Sequence, residues 1–255
     1  MIESRGLTKR YANKTVVAGI SFSVARGELL ALVGGSGSGK TTTLKMLNRL
    51  IEPSWGTIHI GGELTSAIPG HELRRGIGYV AQSIGLFPHM TVAQNVGVTL
   101  SLLGWSDARI RDRVEELLAL VELDAEIGAR LPETLSGGQQ QRIGVARALA
   151  AHPEVMLLDE PFGALDPLTR DHLQRSFHKL HLELSLTTVF VTHDMTEALL
   201  LADRIAVLRS GRLIQIGQPS ELLSRPADDY VAQLLDTPRR QAQRFAVLSR
   251  GLGDA

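Results

Sequence analysis

The chain has 255 residues, 44% of them apolar, and its 27 basic side chains are matched by 27 acidic ones. That length and balance describe a globular chain of one large or two small domains with ample core, and they give no electrostatic case for a nucleic-acid partner. The absence of cysteine excludes disulfides, thiol catalysis and cysteine-ligated zinc, and no apolar run approaches the roughly 18–20 residues that cross a bilayer.

The opening segment, from Met1 to Arg5, lacks a signal-peptide pattern, so any membrane role is expected to come from partner chains. Strands are predicted over Ser4 to Arg10 and over Thr15 to Val24, the second rich in β-branched and apolar residues. A turn at Ala25-Arg26-Gly27 feeds the apolar run Leu29 to Val33, and a helix follows over 40–50. Glu52 to Gly56 reads as a break, Thr57 to Ile60 as a strand ended by Gly61-Gly62, and Ile77 to Ala81 as another strand.

From Thr91 to Ala151 the pattern is helical, with Val114, Leu117, Leu118 and Val121 at helical spacing and a second helix start near Ser136. Residues 84–150 therefore read as a helical insertion within an α/β core. Val155 to Leu158 is wholly apolar, as a parallel strand covered on both faces should be. Helices at 167–184 and 195–202 alternate with strands at Thr187 to Thr192 and 204–208. Ser210-Gly211 marks a hairpin into Arg212 to Ile216. Thr237-Pro238 reads as the cap and first turn of a last helix, whose Arg239, Arg240, Arg244 and Arg250 are expected on a solvated face.

Three strings carry chemistry. Gly34-Gly35-Ser36-Gly37-Ser38-Gly39-Lys40-Thr41 lies between a strand and a helix, the context in which G-x-x-x-x-G-K-[ST] forms a phosphate loop. Glycines let successive N–H groups point inward as an anion nest, and the helix adds the positive end of its dipole. Lys40 is placed to reach β- and γ-phosphates, and the Thr41 hydroxyl to take a Mg²⁺ position. Asp159-Glu160 closes the buried strand at its C-terminal edge, where open α/β sheets bind ligands. There Asp159 suits Mg²⁺ and Glu160 suits polarisation of an attacking water. Leu135-Ser136-Gly137-Gly138-Gln139 is a second capped helix start, hence a second anion-ready end in one chain.

With Leu135-Ser136-Gly137-Gly138-Gln139 the sequence resembles the ATP-hydrolysing subunits of ABC transporters across about residues 2–235, leaving 236–255 as a short basic helical tail. The resemblance implies an α/β fold: a P-loop NTPase core with an N-terminal antiparallel β subdomain and a helical insertion. It implies that two copies pair head to tail, with Ser136, Gly137, Gly138 and Gln139 of one completing the ATP–Mg²⁺ site on Ser36, Gly37, Ser38 and Thr42 of the other. It also assigns Tyr11 to adenine stacking, Gln82 to Mg²⁺ and water, Ala164-Leu165-Asp166 to the loop at the dimer seam, and His193 to the γ-phosphate. Bland readings exist for each: packing for Tyr11, a structural role for His193, a helix cap for Asp166.

A single ATPase domain without membrane helices resembles importers built from separate ATPase chains, permease subunits and an extracytoplasmic binding protein. The expected location is the cytoplasmic face of the membrane, as a peripheral subunit. Ile77 to His89, Leu135 to Arg147 and Asp236 to Ala242 resemble the quaternary-amine group that takes up glycine betaine, choline or carnitine. Many of that group carry CBS modules after the ATPase; with the chain ending at Ala255, such regulation is expected to be absent or to lie elsewhere. Importers of methionine or other solutes stay open at this level, as does a soluble ABC ATPase that serves no transporter. A phosphate-loop kinase or GTPase is disfavoured by the Leu135 to Gln139 string and by the lack of an Asn-Lys-x-Asp motif.

Overall fold

The structure, a computed structural model, describes residues 1–163 and 165–251, with side chains to residue 244. Its elements run β1 (Ile2–Tyr11), β2 (Lys14–Val24), β3 (Leu29–Val33), α1 (Lys40–Leu47), β4 (Trp55–Ile60), β5 (Glu63–Leu64), α2 (Gly70–Arg75) and β6 (Ile77–Val80). These are followed by α3 (Val92–Leu102), α4 (Asp107–Leu120), α5 (Gly137–Leu149) and β7 (Val155–Asp159). The chain then continues through α6 (Pro167–Glu183), β8 (Thr187–Thr192), α7 (Met195–Leu201), β9 (Arg204–Arg209), β10 (Arg212–Gly217), α8 (Pro219–Ser224) and α9 (Asp229–Gly251).

Two sheets result. An antiparallel sheet has the order β2-β1-β4-β5, and a six-stranded sheet the order β10-β9-β3-β8-β7-β6, parallel throughout except for the edge hairpin β9-β10. Every residue of β3, β7 and β8 is buried, which explains why they are apolar or β-branched throughout except for Asp159 at the C-terminal end of β7. Side chains alternate across β3: Leu29, Ala31 and Val33 join a core with the helices, while Leu30 and Leu32 join a second core against α1 and the antiparallel sheet. The central sheet is thereby clamped on both faces. This α/β architecture with an antiparallel sheet at the N-terminus is the one expected from the sequence.

Local boundaries differ at three places. Trp55 and Gly56 belong to β4 rather than to a break, because Trp55 pairs with Thr8 of β1. β5 and α2, short elements with little periodicity, were not anticipated. The last helix does not start at Thr237-Pro238: α9 runs unbroken from Asp229 with Pro238 inside it. Its first turns are fixed by buried Val231 and Leu235, so the helix is already established when it reaches the proline, whose missing donor and ring crowding of the Leu234 carbonyl it absorbs. Arg239 and Arg240 bond back to the carbonyls of Leu223 and Asp236, and the predicted place of the Arg250 side chain lies outside the described residues, as do Ala164 and 252–255. Among the described residues no helix is long and apolar enough to cross a membrane.

Candidate active site

The C-terminal ends of β3, β6, β7 and β8 lie along one edge of the parallel sheet, and each delivers part of one site. The loop after β3 wraps tightly. A β-carbon on Gly34 would lie 2.1 Å from the Leu208 carbonyl oxygen of β9, and one on Gly39, at φ 98°, would lie 2.8 Å from the Val16 carbonyl oxygen of β2. Only glycine fits either place. Lys40 is buried at the start of α1, and its ammonium donates to the carbonyls of Gly34 (2.7 Å) and Gly35 (3.0 Å). Burial holds the Lys40 pKa below that of a free lysine, against the opposing pull of Glu160 and Asp159.

Thr41 Oγ1 donates to Asp159 Oδ1 at 2.8 Å, tying the first helical turn to the end of β7. Asp159 is 1% exposed, and burial raises its pKa, with the Thr41 hydroxyl and Lys45 opposing. Thr41 and Gln82 line one cavity, and the Asp159 carboxylate lies directly behind Thr41; their oxygens are hard donors of the kind Mg²⁺ prefers. No cluster of three or more His, Cys, Asp or Glu suited to a metal occurs among the described residues.

Glu160 is the point of convergence. Gln82 Nε2 donates to its Oε2 at 3.3 Å, and His193 Nδ1 lies 3.3 Å from the same oxygen. Its backbone has φ 49°, the left-handed region that a side chain rarely accepts, and is held there by donation to the Val191 carbonyl at 3.0 Å. Ala12, Arg49, Glu122, His152, Ser185 and Ser210 share this conformation, but Glu160 alone among them lines the glycine-loop cavity. His193 sits between two fixed neighbours. Thr192 Oγ1 accepts from the Asp194 N–H at 3.0 Å, and Asp194 caps α7 by accepting from Thr196 and Glu197. A cavity of about 350 Å³ joins these groups, lined by residues 36–42 together with Val16, Gln82, Glu160 and His193.

The other predicted residues fall elsewhere. Tyr11 is half exposed at the tip of the β1–β2 hairpin, with Lys9 Nζ 5.0 Å from its ring centroid, and does not line that cavity. Ser136 caps α5 reciprocally: its hydroxyl accepts from the Gln139 N–H, and Gln139 Oε1 accepts from the Ser136 N–H. The Gln139 side chain is therefore occupied within its own helix start. Ser136, Gly138 and Gln139 line a separate cavity of about 490 Å³ that shares no residue with the first. Gly137 begins α5 on its exposed side, and Asp166 caps α6 by accepting from the Thr169 N–H at 3.1 Å; the Thr169 hydroxyl, and then this N–H, lower its pKa.

Sequence reasoning missed several participants. Val16 reaches the cavity only because β2 packs along the glycine loop. Asn95 on α3 ties down the loop after Gln82 through bonds to the backbone of Phe87, Met90 and Thr91, and Arg147 on α5 grips Ile84 and Gly85. None of these has a local sequence signal; each is defined by its partner in the fold.

Comparison with known proteins agrees with this geometry. A family described as ABC transporter matches residues 17–163. The chain is 51% identical over 240 residues to the choline transport ATP-binding protein OpuBA of Bacillus subtilis (strain 168), covering 94% of this chain and 63% of that protein. It is 52% identical, with the same coverage, to the glycine betaine/carnitine/choline transport ATP-binding protein OpuCA of the same strain. The chain thus spans 63% of the length of each of these relatives. Among solved structures, a dimeric ATP-binding cassette in a post-hydrolysis state bound to ADP and Pi matches with TM-score 0.79 and 33% identity, over 86% of this chain and 99% of that one. The two-sheet fold, the glycine loop facing Glu160 and these matches lead to one conclusion: the chain belongs to the ABC transporter family, on its ATP-binding side.

Proposed function

We propose that this chain is the ATP-hydrolysing subunit of a membrane importer and that the solute is a quaternary-amine osmoprotectant such as glycine betaine or choline. The observation that carries the hydrolytic part is the convergence of Gln82 and His193 on one oxygen of Glu160, beside the glycine loop. The solute rests on the names of the two Bacillus relatives, OpuBA and OpuCA.

In this reading the loop amides and the Lys40 ammonium hold the β- and γ-phosphates, and Tyr11 stacks on adenine. Mg²⁺, when bound, neutralises charge across the phosphates, and Thr41, Asp159 and Gln82 are the residues that would hold it. Glu160, fixed by Gln82 and His193, orients and polarises the attacking water, and His193 meets the γ-phosphate. The separate opening at Ser136 explains why one chain is half a site: the partner's Ser136, Gly137 and Gly138 close over the γ-phosphate, with Thr42, Gln139 and Asp166 at the seam. Loss of those contacts on hydrolysis reopens the pair.

An apolar groove of about 770 Å³ between α3 and α4, reached by Met90 and Thr91 of the loop after Gln82, is the proposed seat of a permease helix. In this reading the chain sits peripherally on the cytoplasmic face of a membrane, with an extracytoplasmic binding protein delivering solute to the permease. The deciding experiment measures uptake of labelled betaine, choline, carnitine and methionine at high and low osmolarity, comparing intact protein with Lys40→Ala. Loss of quaternary-amine uptake alone is expected. Loss of methionine uptake instead would overturn the solute, and unchanged uptake of all four would overturn the assignment of this chain to their import.

A further inference from the structure

We propose that Tyr230, on the first turn of α9, is a positioning residue for the nucleotide loop: its phenolic oxygen accepts from the Gly35 N–H at 2.9 Å, across 195 positions of sequence. The proposal deepens the ATP reading above and rests on it. Gly35 is the second residue of the glycine loop. Its carbonyl accepts from Lys40 Nζ at 3.0 Å and from the Ser38 N–H at 3.2 Å. Tyr230 thus fixes one side of the Gly35 residue while Lys40 and Ser38 fix the other, and the direction of the Lys40 ammonium depends on where Gly35 is held.

The tyrosine is itself restrained. The Arg209 guanidinium lies 4.7 Å from its ring centroid, at the end of β9, and the next residue, Val231, is fully buried with its N–H bonded to Asp228 Oδ1 at 2.9 Å. With Gly35 N–H committed to a protein oxygen, the phosphate nest is left to the amides that follow it in the loop. No side chain other than Tyr230 donates to or accepts from Gly35 except Lys40 among the described residues. Phenylalanine at 230 would keep the ring, its packing and its stacking with Arg209 and would remove only the acceptor.

The test compares wild type with Tyr230→Phe by calorimetric titration of ADP and of ATP with Mg²⁺, steady-state hydrolysis, and exchange of the Gly35 amide proton by NMR. One hydrogen bond lost from the exposed side of the loop predicts about a two- to fivefold rise in Kd and KM. The value of kcat should stay within twofold, the unfolding midpoint should fall only slightly, and Gly35 exchange should accelerate. Unchanged Kd with unchanged Gly35 exchange would overturn the proposal, and so would a fall in kcat at constant KM, which would put Tyr230 in the chemistry instead. A wild-type protein that binds neither nucleotide would sink the ATP reading, and with it the functional half of this proposal; Gly35 exchange would still decide whether the hydroxyl holds the loop.

Discussion

Two residues carry opposite kinds of local cost. Glu160 retains a left-handed backbone beside the groups that need its carboxylate. Tyr79, on β6, has its hydroxyl enclosed without a hydrogen-bond partner, and burial, with a smaller contribution from Asp159, pushes its pKa up to about 12. Between an unfolded value near 10 and that folded value the native state holds the extra proton, so stability declines as pH rises from about 10 towards 12. Tyr79→Phe removes the unpartnered hydroxyl and is expected to gain about 1 kcal/mol at pH 7 and to decline less with pH above 10. Urea unfolding of both proteins at pH 7 and pH 10.5 checks this; parallel losses between the two pH values would refute it. Gly34 to Thr41 and Asp159-Glu160 were legible in the sequence because each is a contiguous string whose chemistry depends on neighbours in the chain. Val16 and Tyr230 were not, because each meets the glycine loop through a β-strand or helix whose arrival only tertiary packing decides.

At the scale of elements, α5 has two working ends. Its N-terminus is closed by the Ser136–Gln139 capping box, and near its C-terminus Arg147 donates to the Gly85 carbonyl at 2.7 Å and the Ile84 carbonyl at 2.6 Å. One rigid helix thereby joins the second anion-ready terminus to the loop that follows Gln82. Arg147→Ala should cost about 1–3 kcal/mol in urea unfolding and speed amide exchange over residues 83–86. Lysine, with one ammonium in place of a planar fork, should restore only part of the loss. Full restoration by lysine would mean that charge, and not the paired donation, holds the loop. The capped start of α5 could be read from Ser136 and the glycines, whereas its far end could not, since an arginine in a helix is ordinarily a solvated residue. α9 shows the converse: the local rule for Thr237-Pro238 was sound as chemistry, but burial of Val231 and Leu235 starts the helix two turns earlier.

For the molecule as a whole, the Ser136 opening is separate from the glycine-loop cavity, and on the proposed function activity becomes a property of two chains. Glu160→Gln is expected to slow hydrolysis by about 10²–10⁴-fold while leaving nucleotide binding intact, so that ATP accumulates a dimer visible by light scattering. Ser136→Arg introduced into that same protein should abolish the ATP-dependent dimer and spare binding to the glycine loop. A dimer that persists with arginine at 136 would contradict a composite site.

β3 pairs with β8 on one side and β9 on the other, through Thr188–Thr192 and Arg204–Val207. During synthesis, the glycine loop leaves the ribosome early, yet neither strand that flanks it exists until some 150 further residues have been made. Gln82, Glu160 and His193 arrive at intervals along the same stretch. A nascent chain therefore carries the phosphate-binding string without the sheet that shapes it, and the competence to hold nucleotide switches on late and at once. On the proposed function, nucleotide that binds only the finished sheet would add its binding free energy to the completed fold and not to the nascent chain.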